Sequence, residues 1–228
     1  MRLGGLLKLS TLDYPRRLSA VIFTQGCNFH CPYCQNPDLT SPSGELLDEV
    51  GVLAFLEKRK SHLDGVVLSG GEPTLQGDLP HFLKKIKSLG YPIKLDTNGS
   101  RPEMVKELLE KRLIDYVALD LKDNPENYSP ALAPPAESQP VLSTLQILKE
   151  FGLPHEYRTT LVRPFVTFES FKAIASHAAG EYPLYLQLYR GKRVLNPKFM
   201  ERFPNQPEAE NLEEFCSIAS AYVPCFSR

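Results

Sequence analysis

The feature that most constrains this chain is a regular alternation between short apolar runs and segments with the period of a helix. Six runs rich in β-branched residues are spaced along the chain, and a helical segment follows most of them. The runs are residues 20–24, 65–69, 92–97, 116–121, 156–162 and 184–189. Repeated strand–helix units predict an α/β fold with a parallel sheet and helices packed outside it.

The length of the chain decides between the α/β architectures. It has 228 residues, whereas a closed barrel of eight such units typically needs about 250. We therefore predict a partial (β/α)6 barrel, with an open doubly wound sheet as the alternative. One domain is expected over 1–228, with an N-terminal extension at 1–19 and a C-terminal loop and helix at 190–228. The polar stretches 124–140 and 190–211 are expected to be surface loops or partner-facing lids.

Composition and charge exclude several classes of partner. Lys plus Arg number 26 against 27 for Asp plus Glu, so the formal net charge is -1 and a basic nucleic-acid footprint is absent. No apolar run is long enough to span a bilayer. The N-terminus lacks the cleavage site of a signal peptide. We expect a cytoplasmic protein with no nucleic-acid or membrane partner.

Three cysteines lie close together directly after the first predicted strand. Cys27, Cys31 and Cys34 have the spacing C-x3-C-x2-C, and three thiolates on one loop can each hold one iron of a cubane cluster. A zinc site that includes His30 is the alternative. Zinc sites prefer paired C-x2-C units, and no second pair follows. The pattern therefore favours an iron–sulfur cluster with one iron left open for a small molecule.

The other two cysteines are Cys216, in the last predicted helix, and Cys225, in the tail after it. Cys216 shares a helical face with Leu212 and Ala219, which predicts a buried thiol. A second cluster would need more thiols than these two, so we predict a single cluster.

The cysteine loop resembles that of the radical S-adenosylmethionine (SAM) superfamily, and further motifs follow in that family's order. Residues 67–73, VLSGGEP, resemble its GGEP motif. LDTNG at 95–99 and ALDLK at 118–122 resemble segments of glycyl-radical-enzyme activases. The opening LKLSTLDYP at 7–15, together with Asn36 and Pro37, is similar to activating proteins of anaerobic ribonucleoside-triphosphate reductase.

The resemblance implies a function. It implies an oxidoreductase in which Cys27, Cys31 and Cys34 hold one [4Fe–4S] cluster and SAM chelates the fourth iron. Reductive cleavage of SAM would give a 5'-deoxyadenosyl radical, which abstracts hydrogen from a backbone glycine of a partner enzyme. The reductase is the expected client, and a flavodoxin- or ferredoxin-type protein the expected electron donor. Two alternatives stay open, a small-molecule enzyme similar to 7-carboxy-7-deazaguanine synthases and a zinc-stabilised binding protein.

The resemblance also implies a set of cofactor-binding residues. Gly70, Gly71 and Glu72 are expected at the amino group of SAM's methionine moiety. Tyr33 is expected near the adenine, and Arg158 near the methionine carboxylate.

The remaining expected contacts lie at the ends of later strands. Asp96, Thr97 and Asp120 match residues that form a monovalent-cation site beside SAM in pyruvate formate-lyase activases, and Asn98 belongs to the same motif. Lys122 matches a SAM-contacting lysine, although a surface ion pair with Asp120 would also explain it. Those activases carry a histidine at the sixth strand, where this chain instead has Arg190 as a bidentate partner for a carboxylate.

Overall fold

A computed structural model describes residues 1–41, 43–191 and 193–227. Within these residues the strands are β1 (Leu3–Tyr14), β2 (Arg17–Thr24), β3 (Gly65–Gly70), β4 (Ile93–Thr97), β5 (Tyr116–Asp120), β6 (His155–Leu161), β7 (Leu184–Leu188) and β8 (Cys225–Ser227). The helices are α1 (Glu49–Lys58), α2 (Leu79–Ser88), α3 (Pro102–Glu110), α4 (Ser138–Phe151), α5 (Phe168–His177), α6 (Pro197–Met200) and α7 (Ala209–Ala219). Single-turn 3-10 helices lie at Pro37–Leu39, Pro73–Leu75 and Pro135–Glu137.

The six predicted strands are confirmed as β2 to β7, and the α/β class is confirmed with them. The strands follow chain order through one sheet. β2 pairs in parallel with β3, β3 with β4, and β6 with β7. In a parallel pair, the carboxyl ends of the two strands lie at the same edge of the sheet.

The predicted N-terminal extension contains a strand. β1 pairs antiparallel with β2, with Leu7 opposite Val21 and Tyr14 opposite Arg17, so it forms an edge of the sheet. Five of its 12 residues are exposed, and no regular alternation marks it in the sequence.

Residue contacts group the chain into two compact units, and the prediction of a single domain stays a prediction. The first unit comprises Met1–Asn28, Asp38–Thr97 and Glu103–Val117. Its core includes the fully buried Val66 to Leu68 of β3 and the buried apolar face of α2. That face is formed by Leu79, Phe82, Leu83 and Ile86. The strand ends at Gly70 and Thr97 position the motifs of this unit.

The second unit comprises Phe29–Pro37, Asn98–Pro102 and Ala118–Arg228. α4 ends at Gly152, which has the left-handed conformation typical of a glycine cap. The stretch after β5 is not a bare surface loop, because Tyr128 and Leu132 are fully buried. The prediction of a surface loop was wrong, because it relied on the prolines and polar residues of this stretch and not on its two large buried side chains.

The C-terminal part of the second unit holds more structure than the expected loop and helix. α6 precedes α7, and β8 adds an edge strand that pairs in parallel with β7. Cys216 is only half-buried, so the prediction of a buried thiol was wrong, and Cys225 begins β8. None of the helices in the described part of the chain is long and apolar enough to cross a membrane.

Candidate active site

The cysteine loop begins in the first unit with a sharp turn after β2. Gly26 has a φ of 101°, a conformation that favours glycine. Its amide donates to the carbonyl of Leu39 at 2.8 Å, and the amide of Cys27 donates to the carbonyl of Thr40 at 3.0 Å. The backbone that carries the first predicted cluster ligand is therefore fixed on both sides.

Gly70 and Gly71 let two strand ends meet at this turn. The amide of Gly71 donates to the carbonyl of Thr24 at 2.9 Å, and the amide of Glu72 donates to the carbonyl of Gly26 at 2.8 Å. A Cβ on Gly71 would lie 2.1 Å from the Gly26 oxygen. One on Gly70, whose φ is 117°, would lie 2.4 Å from the Thr24 backbone. The glycine pair thus has a packing role that sequence reasoning did not identify.

The carboxylate of Glu72 is buried and bonded within the first unit. Its Oε1 accepts from the amide and the hydroxyl of Thr74 at 3.1 and 2.5 Å, and from the hydroxyl of Thr97 at 2.7 Å. Glu72 therefore joins the end of β3 to the end of β4. This geometry sets the position of the predicted SAM-binding backbone, whereas the expected ionic contact with SAM stays a prediction.

A buried ion pair lies beside Thr97 in the sequence. Lys94 has no exposed side-chain surface, and its Nζ donates to Oδ1 of Asp96 at 2.8 Å. Both residues lie on one face of β4 because side chains alternate along a strand. Sequence reasoning missed Lys94, although a lysine within an otherwise apolar buried run is the signal that could have found it.

Cys31 and Cys34 lie in the second unit, on one turn of the loop. The amide of Cys34 donates to the carbonyl of Cys31 at 3.0 Å. Cys31 is buried and Cys34 half-buried. Burial raises the pKa of the Cys31 thiol to about 11, so iron must displace a tightly held proton there.

Two segments of the second unit hold this turn. On one side, the amide of His30 donates to the carbonyl of Leu132 at 2.9 Å. The His30 Nε2 lies 2.9 Å from the Pro130 carbonyl oxygen, to which it can only donate. That bond occupies Nε2, so His30 could bind a metal only through Nδ1.

On the other side, the segment before α6 binds the cysteine turn through its backbone. The amide of Leu195 donates to the carbonyl of Cys34 at 3.1 Å, and the amide of Asn196 donates to the carbonyl of Pro32 at 2.9 Å. Contacts so distant in sequence cannot be read from local patterns.

Tyr33 lies between two of the predicted ligands with a buried side chain. Its ring centroid is 5.7 Å from that of Phe165. Its hydroxyl is fully buried and has no hydrogen-bond partner among the described residues. Because a buried hydroxyl without a partner is costly, the atom fits a bound group that supplies one.

Asp120 is the centre of a charged cluster in the second unit. Its Oδ2 accepts from Nζ of Lys122 at 3.0 Å, and its Oδ1 accepts from Nε of Arg158 at 2.8 Å. Burial opposes ionisation of Asp120, but the two adjacent cations outweigh it and hold the pKa of the carboxyl well below its ordinary value. The cluster therefore brings two cationic side chains to one carboxylate.

Of the remaining predicted residues, Asn98 closes a turn and Arg190 lies at the surface. The Oδ1 of Asn98 accepts from the amide of Ser100 at 2.9 Å, which closes a turn. Gly99 follows with a φ of 77°, close to Leu119. Arg190 is exposed, and its carbonyl accepts from the side chain of Gln35 at 3.2 Å. The structure thus joins Asp120, Lys122 and Arg158, and separately joins Glu72 with Thr97.

The donor chemistry fits an iron–sulfur cluster. Cys27, Cys31 and Cys34 lie on one loop, and none of the three forms a disulfide bond. In the described part of the chain, no three His, Cys, Asp or Glu side chains are gathered to hold a single metal ion. A cubane does not require such a group, because each thiolate binds a different iron.

Comparisons with known proteins give a family. The model of the radical SAM superfamily matches residues 21–178. A Methanocaldococcus jannaschii protein, whose name proposes a glycyl-radical enzyme activating enzyme, is 34% identical over 96% of this chain and 92% of its own. The 7-carboxy-7-deazaguanine synthase of Thermococcus kodakarensis is 27% identical over 87% of this chain and 83% of its own.

Among solved structures, the fold matches Streptococcus suis SuiB bound to S-adenosylmethionine. The TM-score is 0.68 and the identity 14%. The match covers 91% of this chain and 49% of the SuiB chain, so this chain spans about half the length of that protein. At this identity the likeness shows the fold alone.

Proposed function

The chain belongs to the radical SAM superfamily, and we propose that it generates a glycyl radical on a partner enzyme, with an anaerobic ribonucleoside-triphosphate reductase as the client. Membership implies a [4Fe–4S] cluster and SAM as cofactors. When bound, they supply a 5'-deoxyadenosyl radical by reductive cleavage of SAM. The observation that carries the activase proposal is the similarity to the M. jannaschii protein over nearly the whole of both chains.

Cys27, Cys31 and Cys34 are the proposed ligands of a single cluster. The backbone hydrogen bonds of Gly26 and Cys27 fix the start of the loop, and those of Leu195 and Asn196 fix its end. Burial of Cys31 keeps water from the thiolate once iron has replaced its proton. The protein thus presents the thiols on a loop whose backbone is held by these hydrogen bonds.

The proposed SAM contacts are Tyr33, Gly70, Gly71, Glu72, Asp96, Thr97, Asn98, Asp120, Lys122, Arg158 and Arg190. Support is strongest for Tyr33, whose hydroxyl is buried without a partner among the described residues. An adenine nitrogen could satisfy that hydroxyl. Lys122 and Arg158 both donate to Asp120, and the SAM carboxylate could bind at these two cationic groups.

A monovalent cation near Asp96 and Asp120 is the least supported part of the proposal. Lys94 already donates to Asp96, and Lys122 and Arg158 already donate to Asp120. A potassium ion would therefore share each carboxylate with an existing cation. Replacement of potassium by tetramethylammonium should lower the rate of SAM cleavage if the ion binds, and an unchanged rate would remove it from the proposal.

Electron paramagnetic resonance (EPR) tests the client directly. The reconstituted protein is reduced without oxygen, and SAM and the candidate reductase are added. The proposal predicts a glycyl-radical doublet that disappears when the radical-bearing glycine of the reductase is replaced by alanine. No doublet, in a sample where SAM is cleaved, would exclude this client while leaving the radical SAM chemistry intact.

A second candidate function is turnover of a small molecule. The similarity to the T. kodakarensis 7-carboxy-7-deazaguanine synthase over 87% of this chain favours it. That reading predicts stoichiometric product from a pterin-type substrate with no protein partner. Product formation in the absence of any glycyl radical enzyme would favour this candidate over the activase.

The proposed electron donor is a flavodoxin- or ferredoxin-type protein, because the cluster must receive one electron at a time. We also propose a cytoplasmic location, where thiols are kept reduced and the loop can hold its cluster. The proposed donor can be tested by adding it to the oxidised cluster and monitoring reduction of the cluster by its visible absorbance.

A further inference from the structure

Two thiols outside the cysteine loop lie next to each other in the second unit. Cys216 is in α7 and Cys225 is the first residue of β8, and their sulfur atoms are 2.8 Å apart. A disulfide bond is about 2.05 Å long, so the sulfurs need to move by less than about 1 Å to bond. Both residues are free and half-buried.

The two sulfurs are accessible to small molecules. They line a cavity of about 600 Å³ that is bounded by the residues between them, including Ser217, Ser220 and Tyr222. A tripeptide-sized thiol or disulfide can therefore approach the pair without unfolding α7.

The surroundings of the pair assign an order of reaction. Burial and the neighbouring Cys216 sulfur raise the pKa of the Cys225 thiol above its ordinary value. Either sulfur can donate in the hydrogen bond that joins them. The raised pKa disfavours the Cys225 thiolate, so the Cys216 sulfur is the favoured first nucleophile.

We propose that Cys216 and Cys225 form a reversible disulfide through exchange with a low-molecular-weight disulfide such as oxidised glutathione. The Cys216 thiolate attacks the glutathione disulfide, its S–S bond breaks, and one glutathione thiol leaves. Cys225 loses its proton and displaces the second glutathione from Cys216. The two protein sulfurs are oxidised by two electrons in total, and one glutathione disulfide is reduced to two thiols.

The new bond would tie the C-terminal strand to its neighbouring helix. β8 has three residues and forms the edge of the sheet, held by its pairing with β7 and by the amide of Leu184, which donates to Pro224 at 2.8 Å. α7 is anchored through Phe215, whose ring packs 4.7 Å from Phe168. A bond from the anchored helix to the short strand would restrict opening of that strand.

Trypsin separates this pair from the cluster ligands, which makes a clean test feasible. Cleavage after Arg202 leaves residues 203–228 as one peptide that contains only Cys216 and Cys225, whereas the three loop cysteines fall in residues 18–58. The reconstituted protein is treated with oxidised glutathione without oxygen, quenched in acid, alkylated and digested. We expect the 203–228 peptide to lose two hydrogen atoms, to carry no alkyl group, and to revert with dithiothreitol.

Two variants control this experiment. Cys225→Ser should trap glutathione on Cys216, and Cys216→Ser should give less adduct on Cys225. A wild-type peptide that keeps two alkylatable thiols, or that accumulates glutathione without forming the internal bond, would overturn the proposal.

Amide hydrogen exchange provides a readout of the proposed link. Oxidation of the pair should slow exchange in β8 by about tenfold. The same treatment should change nothing in the Cys216→Ser/Cys225→Ser double variant. Unchanged exchange in the oxidised wild type would contradict the restraint on β8.

Discussion

At the scale of single residues, Gly70 and Gly71 at the end of β3 have a packing role in addition to their proposed role in binding SAM. Because Gly71 has no side chain, the carbonyl of Gly26 can approach its backbone closely. Gly26 directly precedes Cys27, the first cysteine of the loop. A methyl group on Gly71 cannot rotate away, because the atom it meets belongs to backbone. The pair therefore holds the start of the cysteine loop as well as presenting backbone to SAM.

Gly71→Ala should destabilise the protein and impair cluster loading. Relief of the contact requires a backbone shift, and overpacking of this kind costs about 1–3 kcal/mol. Gly77→Ala is the matched control, since a Cβ there meets nothing within 4 Å. Urea unfolding and iron content per chain measure both effects. Equal stability and iron content for the two variants would refute the packing role.

Asp120 gives a pH-dependent prediction. Arg158 and Lys122 hold the pKa of its carboxyl below the ordinary value, so folding favours its ionised form. This contribution is fully present above the unfolded pKa of about 3.9 and is lost as the pH falls below it.

Asp120→Asn should therefore lower the free energy of unfolding of the iron-free protein by about 2 kcal/mol at neutral pH, since a hydrogen-bonded charge is lost. The difference from wild type should stay constant from about pH 7 to pH 5 and shrink below about pH 4. Urea unfolding across this range measures it. A difference that widens in acid would contradict the assigned charge state.

At the scale of elements, the C-terminal segment before α6 supports the cysteine turn. Its backbone donates to the carbonyls of Cys34 and Pro32, the residues that flank Tyr33. The segment thus orders the turn although it lies far away in sequence. Removal of one donor should loosen the loop without altering a ligand.

Leu195→Pro removes the amide that donates to Cys34. One backbone hydrogen bond contributes about 1 kcal/mol, so we expect about fivefold weaker iron loading at limiting iron. Leu195→Ala keeps the amide and serves as the control. Iron analysis and the visible absorbance of the cluster report the result, and identical loading of the two variants would exclude a role for this bond.

The sequence-based predictions succeeded for elements whose residue pattern reflects their burial in the sheet. β2 to β7 are apolar runs buried in the sheet, and helices follow them in the predicted alternation. They failed where a partner far along the chain decides. β1 is partly exposed, and Tyr128 is buried inside a proline-rich stretch.

The same distinction applies to the candidate site. The motifs identified the cysteines, the glycine pair and Asp120, because each is marked by its own residue types. Lys94 was missed although a lysine in an apolar strand, two residues before Asp96, is a signal that the sequence contains. The bond between Glu72 and Thr97 joins two motifs that are 25 residues apart.

At the scale of the whole molecule, the predicted site residues are distributed over the two compact units. The first unit carries Cys27 and the glycine pair, and the second carries Cys31, Cys34 and the charged cluster around Asp120. The central claim is that this chain cleaves SAM reductively. That claim is independent of the client and of the thiol pair at the C-terminus.

The most direct test is anaerobic cleavage of SAM. The protein is reconstituted with iron and sulfide, reduced with dithionite and mixed with SAM, and 5'-deoxyadenosine and methionine are quantified. We predict equal amounts of both products, none from Cys31→Ala, and undiminished amounts from Cys216→Ser. No product from the wild type, together with bound zinc and no absorbance near about 400 nm, would contradict the account.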